Sequence, residues 1–358
     1  MTTNPGPEYF LAQEKYDQAK TAQAKIIALT EMIKFCPRHK ASEKLLAELT
    51  YKLSKLKKEA ETEKIQQAAR AGGGPSLNVK KDGVGQIAIL GGPNSGKSFF
   101  LKALTGVNVE IADYPFTTTK PEIGMMKYKN TLVQVVEVPA IVEGSYEGKA
   151  NGTQMLSIAR NADALIIMHR DGAEKQMILT ELLKSGIIVT HKKPRIKIVQ
   201  NSDYNGITIG GKQFLKIPEK DIEDTLKACG IHKASILLEE DTTMEKLTEA
   251  LDETLDYKNA LFIQTAEPLG KFEDFKAKVF RLLEKIIVYT KKPGEEADLN
   301  DPLVVKDGST VSDVAMLVHK DIASKLQFAK VWGSTKFEGQ RVGKDYKLKD
   351  GDVVEIAA

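Results

Sequence analysis

In the first seventy residues the apolar side chains fall three and four positions apart. Within SEKLLAELTYKLSKLKKEAE, Leu45, Leu46, Leu49, Leu53 and Leu56 form one stripe, the spacing of an amphipathic helix. The pattern predicts helix from residue 8 to about residue 69, broken at Pro37, with Ser42 as the cap of the second helix. The stripe fits either a hairpin packed on its own body or an arm offered to a partner. Lys52, Lys55, Lys57 and Lys58 gather on its polar side, but Glu59, Glu61 and Glu63 follow.

The segment AGGGPSLNVKKDGVG, residues 71–85, is too rich in glycine for helix and reads as a hinge. After it the pattern becomes QIAILGG, a glycine loop, then FFLKALTG. Strand, glycine loop and helix in that order open a parallel α/β domain. TLVQVVEVP (131–139) and ADALIIMHR (162–170) follow as further strands at crossover spacing. From Gly172 the β-branched residues and paired glycines of IKIVQNSDYNGITIGG suggest a small strand-rich insert. The last 73 residues, from Ile286, are short strands broken by Gly and Asp-Gly. The expected division is a helical region 1–70, a nucleotide domain 71–171 plus 235–285, an insert 172–234 and a β module 286–358.

Composition narrows the picture. The net charge of the 358 residues is +3, so a nucleic-acid role needs a local basic face rather than bulk charge. Two cysteines, Cys36 and Cys229, make no disulfide framework and suit a reducing compartment. The start MTTNPGPEYFLAQEK has no basic region before an apolar core, and no apolar run reaches the roughly 18 residues of a membrane span. A cytoplasmic protein without a membrane is expected. The five histidines are scattered, with no zinc spacing.

Gly91-Gly92-Pro93-Asn94-Ser95-Gly96-Lys97-Ser98 fits G-x-x-x-x-G-K-[ST], placed between strand and helix as a phosphate loop requires. Its N–H groups and the helix start attract phosphate oxygens; Lys97 adds a point charge, and Ser98 a hydroxyl for Mg²⁺. Phe99 continues the loop into the helix. Twenty residues after Ser98, Thr117, Thr118 and Thr119 sit on a loop from which Thr118 could reach the Mg²⁺ and sense a γ-phosphate. At the end of the next strand stands Glu137-Val138-Pro139-Ala140.

GGPNSGKS, YPFTTTKPEIG, EVPAIVEGSYEGKANGTQMLSIARNADALIIM and the tail from IIVYTKKPG to DGDVVEI together resemble the Obg superfamily, most of all its developmentally regulated GTP-binding (DRG) branch. The resemblance runs from about residue 20 to the end. It implies a P-loop NTPase of doubly wound α/β fold, an N-terminal helical region, a small α/β insert and a C-terminal β-grasp-like TGS domain. It further implies GTP or GDP with Mg²⁺ held by Ser98, Thr118 and Glu137, a catalytic set of Thr118, Glu137 and Ala140, and ribosome or RNA contacts through the TGS domain and N-terminal helices. A monomer and a possible protein cofactor are also expected.

The departures concern chemistry. Where the family has DxPG this chain has Glu137-Val138-Pro139-Ala140, and an apolar Ile141 follows as in the Obg group. Where the family has one strand ending in NKxD and another near Ser-Ala, only ALFIQTAE fits, and Thr265-Ala266 reads as the second. Asn201-Ser202-Asp203 is a weaker substitute inside the insert. Three functions compete: a slow GTPase switch acting on translation, a pseudo-GTPase binding module, and an ATPase of relaxed specificity. In the tail, Lys330, Lys336, Arg341, Lys344, Lys347 and Lys349 oppose only Glu338 and Asp345, and Trp332, Phe337 and Tyr346 lie among them. Such interleaving suits stacked bases and phosphates.

Overall fold

Every residue of the apolar runs Gln86–Gly91 and Ala164–His169 is buried, as expected for parallel strands covered on both faces. The computed structural model describes residues 5–70, 79–106, 121–201, 205–265 and 272–357. It divides into two compact units, one of Met1–Ser76 with Gly186–Tyr257 and one of Leu77–Ser185 with Lys258–Ala358.

The second unit carries the two buried strands at the middle of a five-stranded sheet. Its order is Asn259–Gln264, Ala164–His169, Gln86–Gly91, Thr131–Glu137, Glu122–Tyr128. All pairs are parallel except the last, a hairpin. Helices Lys97–Thr105, Gly152–Asn161, Gly172–Lys184 and Phe272–Arg281 belong to this unit. Phe100 and Phe275 meet edge-on at 5.3 Å over Ile87, Ile89 and Ile166, a geometry that adds to simple burial.

The same unit contains the C-terminal module. Leu303–Lys306, Lys285–Lys291, Val353–Ala357, Phe328–Trp332 and Gln340–Val342 form its sheet in that order, with helices Val311–Val318 and Lys320–Lys325. Thr310 caps the first of these: its Oγ1 accepts the Asp313 N–H at 3.3 Å, while Asp313 accepts the Thr310 N–H at 2.7 Å. Along Lys285–Lys291 the pleat sends alternate residues two ways. Ile286 and Val288 enter the module's own core, whereas Ile287 is fully buried in the core of the nucleotide sheet.

The first unit holds helices Pro7–Gln18, Ala22–Phe35 and Glu43–Arg70. The leucine stripe packs inward on Tyr9, Ala12, Leu29, Met32 and Cys36, so the hairpin reading holds for that face. Ser42 lies in a short 3-10 turn just before the third helix. Of the four clustered lysines, Lys52 pairs with Glu48 at 2.5 Å and Lys58 with Glu253.

The insert is longer than the sequence suggests, and its boundaries shift at both ends. Helix Gly172–Lys184 belongs to the nucleotide unit, where Glu181 accepts the N–H groups of Gly144 and Tyr146 at 3.0 and 2.8 Å. Strand Ala234–Leu238 and helix Met244–Leu251 belong to the insert, with strands Ile196–Gln200 and Ile207–Gly210 on either side of Ala234–Leu238. Lys44 pairs with Asp221 and Asp224 at 2.8 and 3.1 Å, and Tyr51 packs on the insert's core. The N-terminal helices and the insert therefore form one body rather than two domains.

Candidate nucleotide-binding site

The loop after Gln86–Gly91 turns sharply enough to require left-handed backbone at Asn94 (φ 56°) and Gly96 (φ 85°). Helix Lys97–Thr105 starts directly after it, so the loop's N–H groups and the positive helix end lie together. Ser95 is fully buried, and its Oγ donates to the Gly92 carbonyl at 3.0 Å. Gly92 has no room for a side chain: a Cβ there would sit 2.0 Å from Glu174 Oε1.

Lys97 is 6% exposed, and its ammonium donates to the carbonyls of Gly92 (2.8 Å) and Gly91 (3.3 Å). The amine is thereby aimed along the inside of the loop. Burial pulls its pKa down, opposed by the carboxylates of Glu137 and Glu174. Such a cation gains most when a phosphate replaces the water it has lost.

Ser98 and Glu137 come together. Ser98 Oγ donates to Glu137 Oε1 at 2.8 Å, while Glu137 Oε2 is buried without a partner among the described residues. Glu137 is 1% exposed; burial pushes its pKa up, against the Ser98 hydrogen bond and the Lys97 charge. A hydroxyl beside an unsatisfied carboxylate oxygen fits a hard divalent cation such as Mg²⁺. Beyond Glu137 the chain stays anchored: Val138 N–H donates to Ile89 O and Ile141 N–H to Gly91 O, both at 3.0 Å. Ala140, between them, is half-buried and brings only a methyl group. No group of three or more His, Cys, Asp and Glu suited to a metal occurs among the described residues.

Thr118 and Ala266 lie outside the described residues. Phe99 is 65% exposed and turns away from the helix core. Pro93 and Asn94 form the outer part of the loop. Asn201 follows a strand of the insert's sheet rather than one of the nucleotide sheet.

The strand carrying Thr265 needs reassignment. Asn259–Gln264 pairs directly with Ala164–His169 and forms the sheet edge, with no strand outside it among the described residues. It is the next strand outward from Ala164–His169, the place of the first of the two expected strands rather than the second. Gln264-Thr265-Ala266-Glu267 then stands in sequence where Asn-Lys-x-Asp belongs. Thr265 Oγ1 donates to Ser95 O at 3.0 Å, and Thr265 N–H to His169 O at 3.0 Å. Gln264 Nε2 donates to Arg170 O at 3.2 Å. Sequence reading also missed Glu174, an ordinary helical glutamate until its burial shows. It is 7% exposed, abuts Gly92, and accepts the N–H of Arg170 at 2.6 Å.

Two sequence families match the chain: one described as 50S ribosome-binding GTPase over residues 86–202, the other as TGS domain over residues 286–358. The chain is 32% identical over 371 residues to an uncharacterized GTP-binding protein of Methanocaldococcus jannaschii, covering 93% of this chain and 92% of that protein. It belongs to the developmentally regulated GTP-binding protein family. Relatives of that name include developmentally-regulated GTP-binding protein 2 of Homo sapiens, 29% identical over 93% of this chain and 98% of its own length. The homologue of that protein in Dictyostelium discoideum is 28% identical, over 89% of this chain and 94% of its own. Along the chain the GTPase match precedes the TGS match. No helix among the described residues is long and apolar enough to cross a membrane.

Proposed function

We propose that this chain binds GTP and GDP with Mg²⁺ and acts as a slow nucleotide switch whose TGS domain meets RNA or the ribosome. The observation that carries the nucleotide reading is the convergence of buried Lys97 and Glu137 with half-buried Ser98 on one side of a glycine loop at the carboxyl end of a parallel sheet, the place where such folds take ligands. The bound Mg²⁺ would neutralise phosphate charge. The chain's own part is orientation: Lys97 is aimed by two carbonyls, Ser98 and Glu137 supply oxygen ligands, and Ser95 with Thr265 fixes the loop.

Turnover is expected to be weak. Glu137 is a longer carboxylate than the family's Asp, and Ala140 restricts the backbone where the family places Gly. Base choice is expected to be loose as well. An acceptor carboxylate reading guanine is worth roughly 1.5–3 kcal/mol per hydrogen bond, so its displacement costs about tenfold or more in selectivity. Calorimetry of nucleotide-free protein with GTP, GDP and ATP, each with Mg²⁺, tests occupancy and base choice together. GTP and GDP in the micromolar range, with ATP weaker, is the expected result; no heat from any of the three would end the nucleotide reading.

A further inference from the structure

On the TGS sheet, one face builds the module's core through Ala329, Val331 and Val354, all fully buried. The other face carries a row of charges set by register. Lys330 lies opposite Arg341 on one side and Glu355 on the other, and Glu355 lies opposite Lys291. The contacts agree: Lys330 Nζ donates to Glu355 Oε1 at 3.0 Å, and Lys291 Nζ lies 3.5 Å from Glu355 Oε2. Three cations face one largely buried carboxylate. At the two ends of the row each cation lies over an aromatic ring: the Arg341 guanidinium 3.6 Å from the Phe328 ring centre, and the Lys291 ammonium 4.1 Å from that of Trp332.

We propose that this face, made of Lys291, Phe328, Lys330, Trp332 and Arg341, is a platform for single-stranded RNA. The inference rests on the reading that the TGS domain meets RNA, and it says where. Four adjacent strands span about 14 Å, and sheets of this size stack two or three unpaired bases on aromatic side chains or guanidinium planes. Arg341, over the Phe328 ring and exposed, offers such a plane. Lys330 stands between the rings where a phosphate would pass. Two of the three aromatics expected from sequence do not serve. Tyr346 packs against the module's core, and Phe337, 74% exposed, sits on the loop beyond the sheet rather than in the row. An acidic peptide would match the charge but would leave the Arg341 guanidinium plane unstacked.

The test is fluorescence anisotropy of the full-length protein with a fluorescein-labelled 12-nucleotide single-stranded RNA of mixed sequence. With two phosphates neutralised, affinity should fall roughly sevenfold between 50 and 200 mM salt. Arg341→Gln, at an exposed position, should weaken binding about tenfold and flatten the salt slope by about 0.7. Phe328→Leu should weaken it with the slope unchanged. The pair Lys344→Gln and Lys347→Gln, on the loop beside the sheet, should bind nearly as wild type. If that pair loses binding while Arg341→Gln and Phe328→Leu keep it, the platform is wrong but the TGS–RNA reading survives. If wild type binds no RNA, both fall. A 12-residue poly-glutamate that binds more tightly than the RNA and is weakened by Arg341→Gln would make the face a protein dock and overturn the proposal.

Discussion

Thr265 donates its hydroxyl hydrogen to the carbonyl of Ser95 across 3.0 Å, tying the edge strand of the nucleotide sheet to the middle of the phosphate loop. One short side chain thus connects the region expected to face the base with the region expected to face the phosphates. A neutral hydrogen bond of this kind contributes about 0.5–1.5 kcal/mol. Thr265→Val should therefore weaken GDP binding by roughly threefold to tenfold, and Thr265→Ser should restore it. Titration with a fluorescent GDP analogue reads both; loss in Thr265→Ser with none in Thr265→Val would mean that the methyl contact, not the hydrogen bond, matters.

Lys97→Ala removes the ammonium held by the loop carbonyls of Gly91 and Gly92. With hydrogen bonds to charged groups worth about 1.5–3 kcal/mol each, triphosphate affinity should drop by about two decades. Calorimetry that finds it within twofold of wild type would remove the phosphate-loop reading.

Gly92→Ala would place a methyl carbon 2.0 Å from Glu174 Oε1. Overpacking of this kind costs typically about 1–3 kcal/mol, and here the loop is what must move. Nucleotide affinity should fall at least tenfold. Adding Glu174→Ala should recover part of it, a non-additivity expected only of residues in contact. Strict additivity in the double-mutant cycle would separate the two residues.

Glu137 gives a pH dependence. Burial raises its folded-state pKa above the ordinary carboxylate value, opposed by Ser98 and Lys97. The folded nucleotide-free protein therefore holds the proton more tightly than the unfolded chain. Glu137's contribution to stability is fully present below the unfolded-state pKa and is lost as pH rises through the folded-state value. Glu137→Gln, which never ionises, should melt higher than wild type at neutral pH without nucleotide, the gap closing near pH 4. Melting curves across pH check this, and a gap that widens on acidification would reverse the sign. With Mg²⁺ and GDP present the order should invert, because the glutamine supplies no charge to the cation.

Restoring the family's residues tests turnover. Glu137→Asp with Ala140→Gly should raise single-turnover GTP hydrolysis above wild type, since it returns a shorter carboxylate and a freer backbone beside the loop. Unchanged hydrolysis with intact binding would point to the altered base-reading strand or to a missing activator.

Much of this was legible along the chain because local chemistry reports it. Gly91 to Ser98 between an apolar run and a helix names the loop, and Leu45 to Leu56 names the helix face that is buried. What the sequence hid was non-local. A strand's rank in a sheet depends on its neighbours, so ALFIQ could be read as either of two strands until its pairing with Ala164–His169 appeared. Glu174 looked like a solvated helical glutamate because nothing local reveals its approach to Gly92. The insert's limits were misjudged because MEKLTEAL is an equally good helix in either domain. In the tail, counting lysines located the charged region but missed Lys291 and Phe328, which only strand register brings to one face.

The strand Lys285–Lys291 has one further consequence. Ile287 fills the core of the nucleotide sheet while Ile286 and Val288, its neighbours in the chain, fill that of the TGS domain. Asp350 of the TGS domain accepts the Ile287 N–H at 2.8 Å and pairs with Lys129 of the nucleotide sheet's hairpin at 2.8 Å. Removing the tail at Lys285 would thus open a hole the size of an isoleucine in the nucleotide domain, a loss that typically costs about 2–5 kcal/mol even for truncation to alanine. A deletion experiment would blame the missing domain for damage done to the one left behind. For this architecture, point substitutions at exposed residues such as Arg341 are the clean scalpel.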